Sequence, residues 1–309
     1  MPHSIYLDRF SQINFEKIID HPNILIAANF WDTERFLAAK TCYKFMRAID
    51  DMIDDHKAHN NGISAAQQSW FEDQVSQWLE AVRHGDHEND PIRNELIETI
   101  EKFRIPFSTL EAFAKAMLYD IDHDGFASIE TFIDYSQGAS VAPSSIFVHL
   151  CGLKRSNGSY TDPMFDATTA AKPCAIFSYL IHIIRDFQKD QFNNLSYFAD
   201  DLIQKHGLSR KILNNIAHGA TIPEGFRDLI REYMDIAEEY RLQTLKVINR
   251  ITPLLEPRYQ LSLHIIYNLY LMVYERIDVE NGLFTSKELN PSAQEIKERV
   301  YRTIVEFEN

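Results

Sequence analysis

Apolar positions along this chain recur mostly at intervals of three and four, with little of the alternation that marks strands. The pattern therefore predicts helices from end to end. A first long helix is expected over residues 28–56, starting near Asp32 or Thr33 and carrying Phe36, Ala39, Tyr43, Met46 and Ile53. A polar loop over 56–62 follows, then an amphipathic helix over 64–83 that the run HGDHENDP stops. The next helix spans 91 to about 103. Ser108 opens another, with Glu111 at capping-box spacing, running to about 119. Residues 128–151 read as helix, but Gly138 and Pro143 predict a kink. KRSNGSYTDP (154–163) reads as a loop, and 165–192 as one long, unusually apolar helix. Two more long helices, 223–251 and 256–280, are separated by Pro253 and Pro257, and Asn290-Pro291 opens the last with proline at the first helical position. No repeat, low-complexity linker or shift in composition divides the chain, so a single domain over 1–309 is expected.

Two acidic stretches stand out against this pattern. RAIDDMIDDH carries Asp50, Asp51, Asp54 and Asp55, and HIIRDFQKD carries Asp186 and Asp190. Four residues bring a helix just past one full turn, so Asp50 and Asp54 share a face, as do Asp186 and Asp190. Like charges at this spacing destabilise a bare helix by roughly 0.2–0.5 kcal/mol. Their neighbours Ile49, Met52 and Ile53, and the apolar run SYLIHII before Asp186, favour carboxylates lining a cavity over a solvated acidic face. An arginine sits beside each pair, Arg47 and Arg185. Hard oxygen donors without a His or Cys cluster favour Mg²⁺, which usually keeps open positions for phosphate oxygens. The pairs lie far apart in sequence, and a compact all-helical fold is what can bring them together.

Composition narrows the function classes. A net charge of −14 argues against nucleic acid and against electrostatic docking on anionic lipid, and suits a protein that gathers divalent cations. Three cysteines, Cys42, Cys151 and Cys174, lack metal spacing and read as reduced core thiols of a cytoplasmic chain. The N-terminal residues show no apolar signal core, and no run approaches 18 uninterrupted apolar residues, so no spanning helix is expected. The glycine fingerprints of P-loop and dinucleotide folds are absent, as is G-x-S-x-G. DIDHDGFASIE (120–130) imitates a calcium loop, but position 12 is Thr131 and position 8 is Ala127, so it reads as a turn between helices. Of twelve scattered histidines, His182 alone is placed suggestively, one helical turn before Asp186. Tyr43, Tyr135, Tyr179, Tyr267 and Tyr270 lie on apolar helix faces, either as ordinary core residues or as the lining of a greasy tunnel whose π faces favour a carbocation.

These motifs, in this order, resemble the squalene/phytoene synthase family of prenyltransferases. CYKFMRAIDDMID is similar to its first aspartate motif, and YLIHIIRDFQKDQFNNLSYF to its second. MLYDIDHDGFASIETFIDYSQGAS resembles the kinked segment between them, and YLMVYERIDVENGLFTSKEL the C-terminal tyrosine helix with a basic residue after it. The resemblance spans roughly residues 20–290. The chain departs from the family's pattern where His182 replaces an asparagine, Lys189 a glutamate and Leu195 an arginine, and where Val141 and Ser144 replace the glycines after the kink, with Pro143 between them.

The resemblance implies the all-α isoprenoid-synthase bundle around a central cavity. Asp50, Asp54, Asp186 and Asp190 would hold Mg²⁺ on a substrate diphosphate. Arg47, Arg185 and Lys287 would donate to that diphosphate. Tyr43, Tyr135 and Tyr270 would position it or shield the cation, with His182, Tyr179 and Tyr197 as further substrate contacts. Small residues at Ala170, Ala171, Cys174, Ala175 and Ser178 would leave room for prenyl tails. The implied reaction is head-to-head condensation of two farnesyl or geranylgeranyl diphosphates, through a cyclopropylcarbinyl diphosphate, to a C30 or C40 product. The alternatives are cyclisation of one prenyl diphosphate on the same scaffold and a non-catalytic assembly or binding role. NADPH suits the reductive branch of this chemistry but has no motif here. An apolar product implies transient membrane contact by a cytoplasmic, peripherally associating protein.

Overall fold

The computed structural model describes residues 4–17, 23–59, 64–86 and 91–309. The fold is all-α. In chain order the helices are α1 (Ile5–Ser11), α2 (Asn23–Ala28), α3 (Thr33–His59), α4 (Ala65–His84), α5 (Pro91–Phe103), α6 (Phe107–Asp122) and α7 (Ile129–Ser136). A π-helical turn, Gln137–Val141, joins α7 to α8 (Ala142–Gly152). A hairpin of β1 (Lys154–Ser156) and β2 (Ser159–Thr161) follows, then α9 (Ala167–Arg185), α10 (Phe187–Phe192), α11 (Asp200–Lys205) and α12 (Arg210–Ala217). The chain closes with α13 (Glu224–Ile251), α14 (Pro257–Tyr274), α15 (Ser286–Leu289) and α16 (Ala293–Glu308).

The core is built around α9. Its buried residues, including Ile176, Phe177, Leu180, Ile181 and Ile184, point in every direction, the pattern of a helix with neighbours all round. It is long and apolar enough to cross a membrane, yet α8, α13 and α14 pack against it here. Each fully buried Leu, Ile or Phe stabilises this arrangement by roughly 1.5–3 kcal/mol.

Two polar anchors fix the ends of the helices that wall the interior. Arg35, near the start of α3, is 2% exposed. Its Nη1 and Nη2 donate to the carbonyls of Leu150 and Leu153, each at 3.0 Å, meeting groups that the end of α8 would otherwise leave unpaired. Its guanidinium lies 4.4 Å from the centroid of the Tyr259 ring on α14, and Tyr259 donates to Asp32 at 2.7 Å. Trp31 Nε1 donates to Ser262 Oγ at 2.8 Å, and that hydroxyl donates to the Ala27 carbonyl, tying α2 to α14.

The predicted kink is a π-turn pressed against α6. A Cβ added at Gly138 would stand 2.2 Å from the Ala112 carbonyl oxygen and 2.6 Å from the Ala116 methyl. Only glycine allows this approach. Ser140 Oγ donates to the Ala175 carbonyl at 2.9 Å, fastening the other side of the turn to α9.

Several boundaries differ from expectation for local reasons. α3 continues to His59, into the expected 56–62 loop, and residues 60–63 lie outside the described part, as do 87–90 of the predicted stop HGDHENDP. α6 begins at Phe107 after Pro106, with no side-chain cap, so the Ser108–Glu111 box does not form. The long apolar helix over 165–192 breaks at Asp186 into α9 and α10. The expected 154–163 loop is a short hairpin with Tyr160 paired to Arg155. α14 stops at Tyr274, short of 280. α16 starts at Ala293 with Ser292 and Glu295 forming its capping box, so Pro291 precedes the helix. α1, α2, α11, α12 and α15 have no counterpart among the expected helices.

Replacing Gly138 with alanine should overpack the α6 contact and destabilise the protein by about 2–3 kcal/mol. Thermal melts should show a Tm lowered by several degrees, whereas alanine at the open, positive-φ Gly219 (φ 94°) should leave the α6 contact and the cleft untouched.

Candidate functional site

Between α3, α6, the π-turn, α8, α9 and α14 lies a cleft of about 280 Å³. The first turns of the acidic stretch of α3 supply Tyr43, Met46, Arg47 and Asp50, three to four residues apart and so on one face. α9 supplies Ser178, Tyr179 and His182 by the same spacing. Phe113, Ala139, Ser140, Pro143, Ser144, Tyr270 and Ile24 complete the wall. Two helix faces remote in sequence thus meet across one opening; of the second acidic stretch it holds His182, while Arg185, Asp186 and Asp190 lie outside its lining.

The cleft leads into an almost wholly apolar slot lined by Phe147, Val148, Ala170, Ala171, Cys174, Val247, Ile248, Leu263 and Ile266, among others. Ile24, Ser144 and Tyr270 belong to both spaces. Of the small α9 residues expected to leave room for a tail, Ala170, Ala171 and Cys174 line the slot and Ser178 the cleft. Ala175 lines neither: it is 1% exposed, and its carbonyl takes the Ser140 hydroxyl.

Each acidic stretch is clasped by its own arginine. Arg47 Nη1 donates to Asp50 at 2.7 Å, and Nη2 to Asp51. Arg185 donates from Nε and Nη2 to both oxygens of Asp186, at 2.9 and 2.6 Å. Burial pushes the Asp186 carboxyl up, but the Arg185 hydrogen bonds and charge more than offset it, leaving it below the ordinary range. Asp186 caps α9, and Asp190 follows one turn on in α10. Asp54 lies on α3, with its side chain outside the described residues. Among the described residues no three His, Cys, Asp or Glu side chains converge as a ready-made metal cage.

The other expected residues fall at graded distances from the cleft. Burial raises the Tyr43 hydroxyl to about 12. Burial also raises that of Tyr270, whose ring meets the His182 imidazole edge-on at 5.3 Å. His182 is held neutral, its pKa lowered to about 3 by burial and then by Arg185; its Nε2 is sealed from solvent and unpartnered. Tyr135 stands behind the wall. It is buried, its ring lies 6.2 Å from Tyr179, and its hydroxyl donates to Asp120. Tyr267 is drawn away from the cleft, accepting from Arg241 at 3.0 Å. Lys287 is exposed on α15, and the Ser286 N–H donates to Gln188 at 3.0 Å, tying α15 to the α10 helix that carries Asp190.

Tyr197 lines a different space, a polar cavity of about 420 Å³ with Tyr119, Asp120, Asp124, Asn194 and Arg210. The Tyr135–Asp120 bond spans the wall between it and the cleft. The cysteines are free, with Cys42 and Cys151 in the core and Cys174 at the slot. Sequence reading missed Ile24, Phe113 and Ser140 as cleft residues. The apolar run NILIAANF was the available signal for Ile24; Phe113 had none beyond its place on a core face.

A squalene/phytoene synthase family model matches residues 23–295. Among curated proteins none matches the chain. Among solved structures, a dehydrosqualene synthase in complex with ligand superposes with a TM-score of 0.71 at 15% identity, covering 98% of each chain. Squalene synthase HpnC from Alicyclobacillus acidocaldarius gives 0.63 at 14%, covering 99% of this chain and 97% of that one. YisP from Bacillus subtilis subsp. subtilis strain 168 gives 0.57 at 12%, covering 97% and 100%. At such identities the superpositions speak for the fold. The family match, running through both acidic stretches and the kink between them, speaks for descent: this chain belongs to the squalene/phytoene synthase family.

Proposed function

We propose that this protein ionises an allylic prenyl diphosphate in the cleft and joins the cation head-to-head to a second prenyl diphosphate. The observation that carries this reading is the continuity of a charged opening, bearing Arg47 and Asp50, with an apolar slot through Tyr270. A diphosphate head and a terpenoid tail need such a pair of environments side by side. Asp50 and Asp54 on α3, with Asp186 at the end of α9 and Asp190 on α10, are the residues that would hold Mg²⁺. Their donors are the hard oxygens this ion prefers, and such an ion completes its shell with diphosphate oxygens and water. Bound there, Mg²⁺ supplies charge neutralisation for the leaving diphosphate.

The chain's own groups do the rest. Arg47 and Arg185 donate to the diphosphate once they turn from their aspartates, and Lys287 approaches from the rim. The π faces of Tyr43, Tyr179 and Tyr270 shield a cation without attacking it. Apolar walls keep water from quenching it to an alcohol. The family and the cleft support a C30 or C40 head-to-head product; a nicotinamide reductant would serve a reductive second half-reaction, with no motif here for it.

Incubation with Mg²⁺ and farnesyl or geranylgeranyl diphosphate, with and without NADPH, followed by mass analysis of the organic extract, tests this. A C30 or C40 hydrocarbon or a cyclopropylcarbinyl diphosphate is expected; a C15 or C20 hydrocarbon would instead mean cyclisation. Asp50→Asn and Asp186→Asn should each slow diphosphate release by about 10²–10³-fold, with melts shifted by only a few degrees. Unchanged release would remove these carboxylates from the mechanism.

His182 makes a separate prediction. Its folded pKa of about 3 lies below the ordinary 6.5, so between these values the unfolded chain binds the extra proton. Its contribution to stability is full above pH 6.5 and is lost as pH falls towards 3. Melts of His182→Asn should therefore fall less steeply than wild type over this window, and parallel curves would contradict the burial of a neutral imidazole.

A further inference from the structure

We infer that His182 is the general base that ends the reaction: its Nε2 takes a proton from the carbon beside the final cation, so the product leaves with a further double bond and no reductant is consumed. The inference rests on the prenyl diphosphate reading above and assigns its last step to one residue of this chain. His182 lies on α9, and its ring lines the cleft with Arg47, Asp50 and Tyr270. Tyr270 also lines the slot, and its ring meets the imidazole at 5.3 Å. A substrate whose diphosphate meets Arg47 and whose tail enters the slot past Tyr270 has its reacting carbons between the two, beside His182.

Several polar groups of this wall are committed elsewhere. Ser140 and Ser178 both donate to the Ala175 carbonyl, and the two Nη atoms of Arg47 clasp Asp50 and Asp51. Among the described residues of the cleft, two buried side-chain atoms have no hydrogen-bond partner, Arg47 Nε and His182 Nε2. The first can only donate, whereas the second can accept. Leaving a buried polar atom unpaired is costly, so such an atom calls for a function that outweighs the cost. A nitrogen closed to solvent also holds no water, the nucleophile that would turn the cation into an alcohol. Burial and the neighbouring Arg185 keep the ring neutral, with a lone pair to offer. The χ2 torsion of histidine is soft and roughly two-fold. No hydrogen bond at Nε2 resists the turn that brings this atom to the cleft surface.

The step balances without a co-reactant. The cyclopropylcarbinyl diphosphate loses diphosphate and opens to a linear cation. A C–H bond next to the cationic carbon breaks, its electron pair becomes the new central C=C bond, and the proton moves to Nε2. The imidazolium then passes it to the released diphosphate, which departs protonated. A carbocation is so strong an acid that even a weakly basic imidazole accepts its proton. The asparagine of the family's pattern has no basic lone pair at this place.

The test reads products rather than rates. Wild type, His182→Asn and His182→Ala would each be incubated with Mg²⁺ and farnesyl or geranylgeranyl diphosphate, without reductant. Wild type should give a linear C30 or C40 hydrocarbon with a conjugated central triene. In both variants the triene's share of the products should fall about tenfold or more, with cyclopropylcarbinyl diphosphate and alcohols in its place. Added imidazole should restore the triene in His182→Ala, a rescue that a merely structural role would not give. The two substitutions are independent, so one variant that melts above the assay temperature suffices. An unchanged triene share, or a wild type that makes linear hydrocarbon only with NADPH, overturns the base and leaves the functional reading standing. A wild type that makes no head-to-head product of any kind overturns that reading, and the base with it.

Discussion

The approach of Gly138 to the Ala112–Ala116 turn of α6 sets the geometry of everything around the cleft. The close approach falls in the π-turn, where the backbone leaves the ordinary register while it packs against α6. Around it stand the Tyr135–Asp120 hydrogen bond, Ala139 and Ser140 on the cleft wall, and α8 packed on α9. Interiors are packed as densely as crystals, so a contact of this kind transmits its position outward rather than absorbing error.

The helical framework was largely legible in the sequence, because amphipathic spacing reports which face a long helix buries. α3, α13 and the apolar α9 stand close to where their periodicity put them. Short elements were not legible. α11 is tied by its Asp200 and Asp201 N–H groups to the Phe126 and Ala127 carbonyls and α12 is capped by Ser209, and six or eight residues give too few periods to read. The break at Asp186 was also hidden: apolar spacing continues through it, while the main chain turns there as the Arg185–Asp186 pair forms. Ser108 and Glu111 had the spacing of a capping box, but Pro106 starts the helix earlier and turns them into interior positions.

The candidate site was legible in a different way. Aspartates repeated at helical spacing, beside apolar residues, mark a wall rather than a surface, and Asp50 does line the cleft. Which tyrosine faces it was not readable, because Tyr135, Tyr179, Tyr267 and Tyr270 all sit on apolar faces. Their fates depend on partners from other helices: Asp120 holds Tyr135 behind the wall and Arg241 draws Tyr267 away, while Tyr179 and Tyr270 are left to the cleft. Tertiary hydrogen bonds of this kind leave no trace in periodicity.

The arginine clasps described above have a thermodynamic corollary. A bare cation arriving at Asp50 or Asp186 must displace a bidentate or bifurcated guanidinium and strand it in a half-buried place, so metal alone gains little. A diphosphate arriving alone meets arginines already spoken for and carboxylates that repel it. Arriving together, metal and diphosphate let each charge exchange one partner for another, with no ion left unmatched at the end. On the function proposed above, the protein recognises the salt rather than either of its ions, and the affinity of each is largely a property of the other.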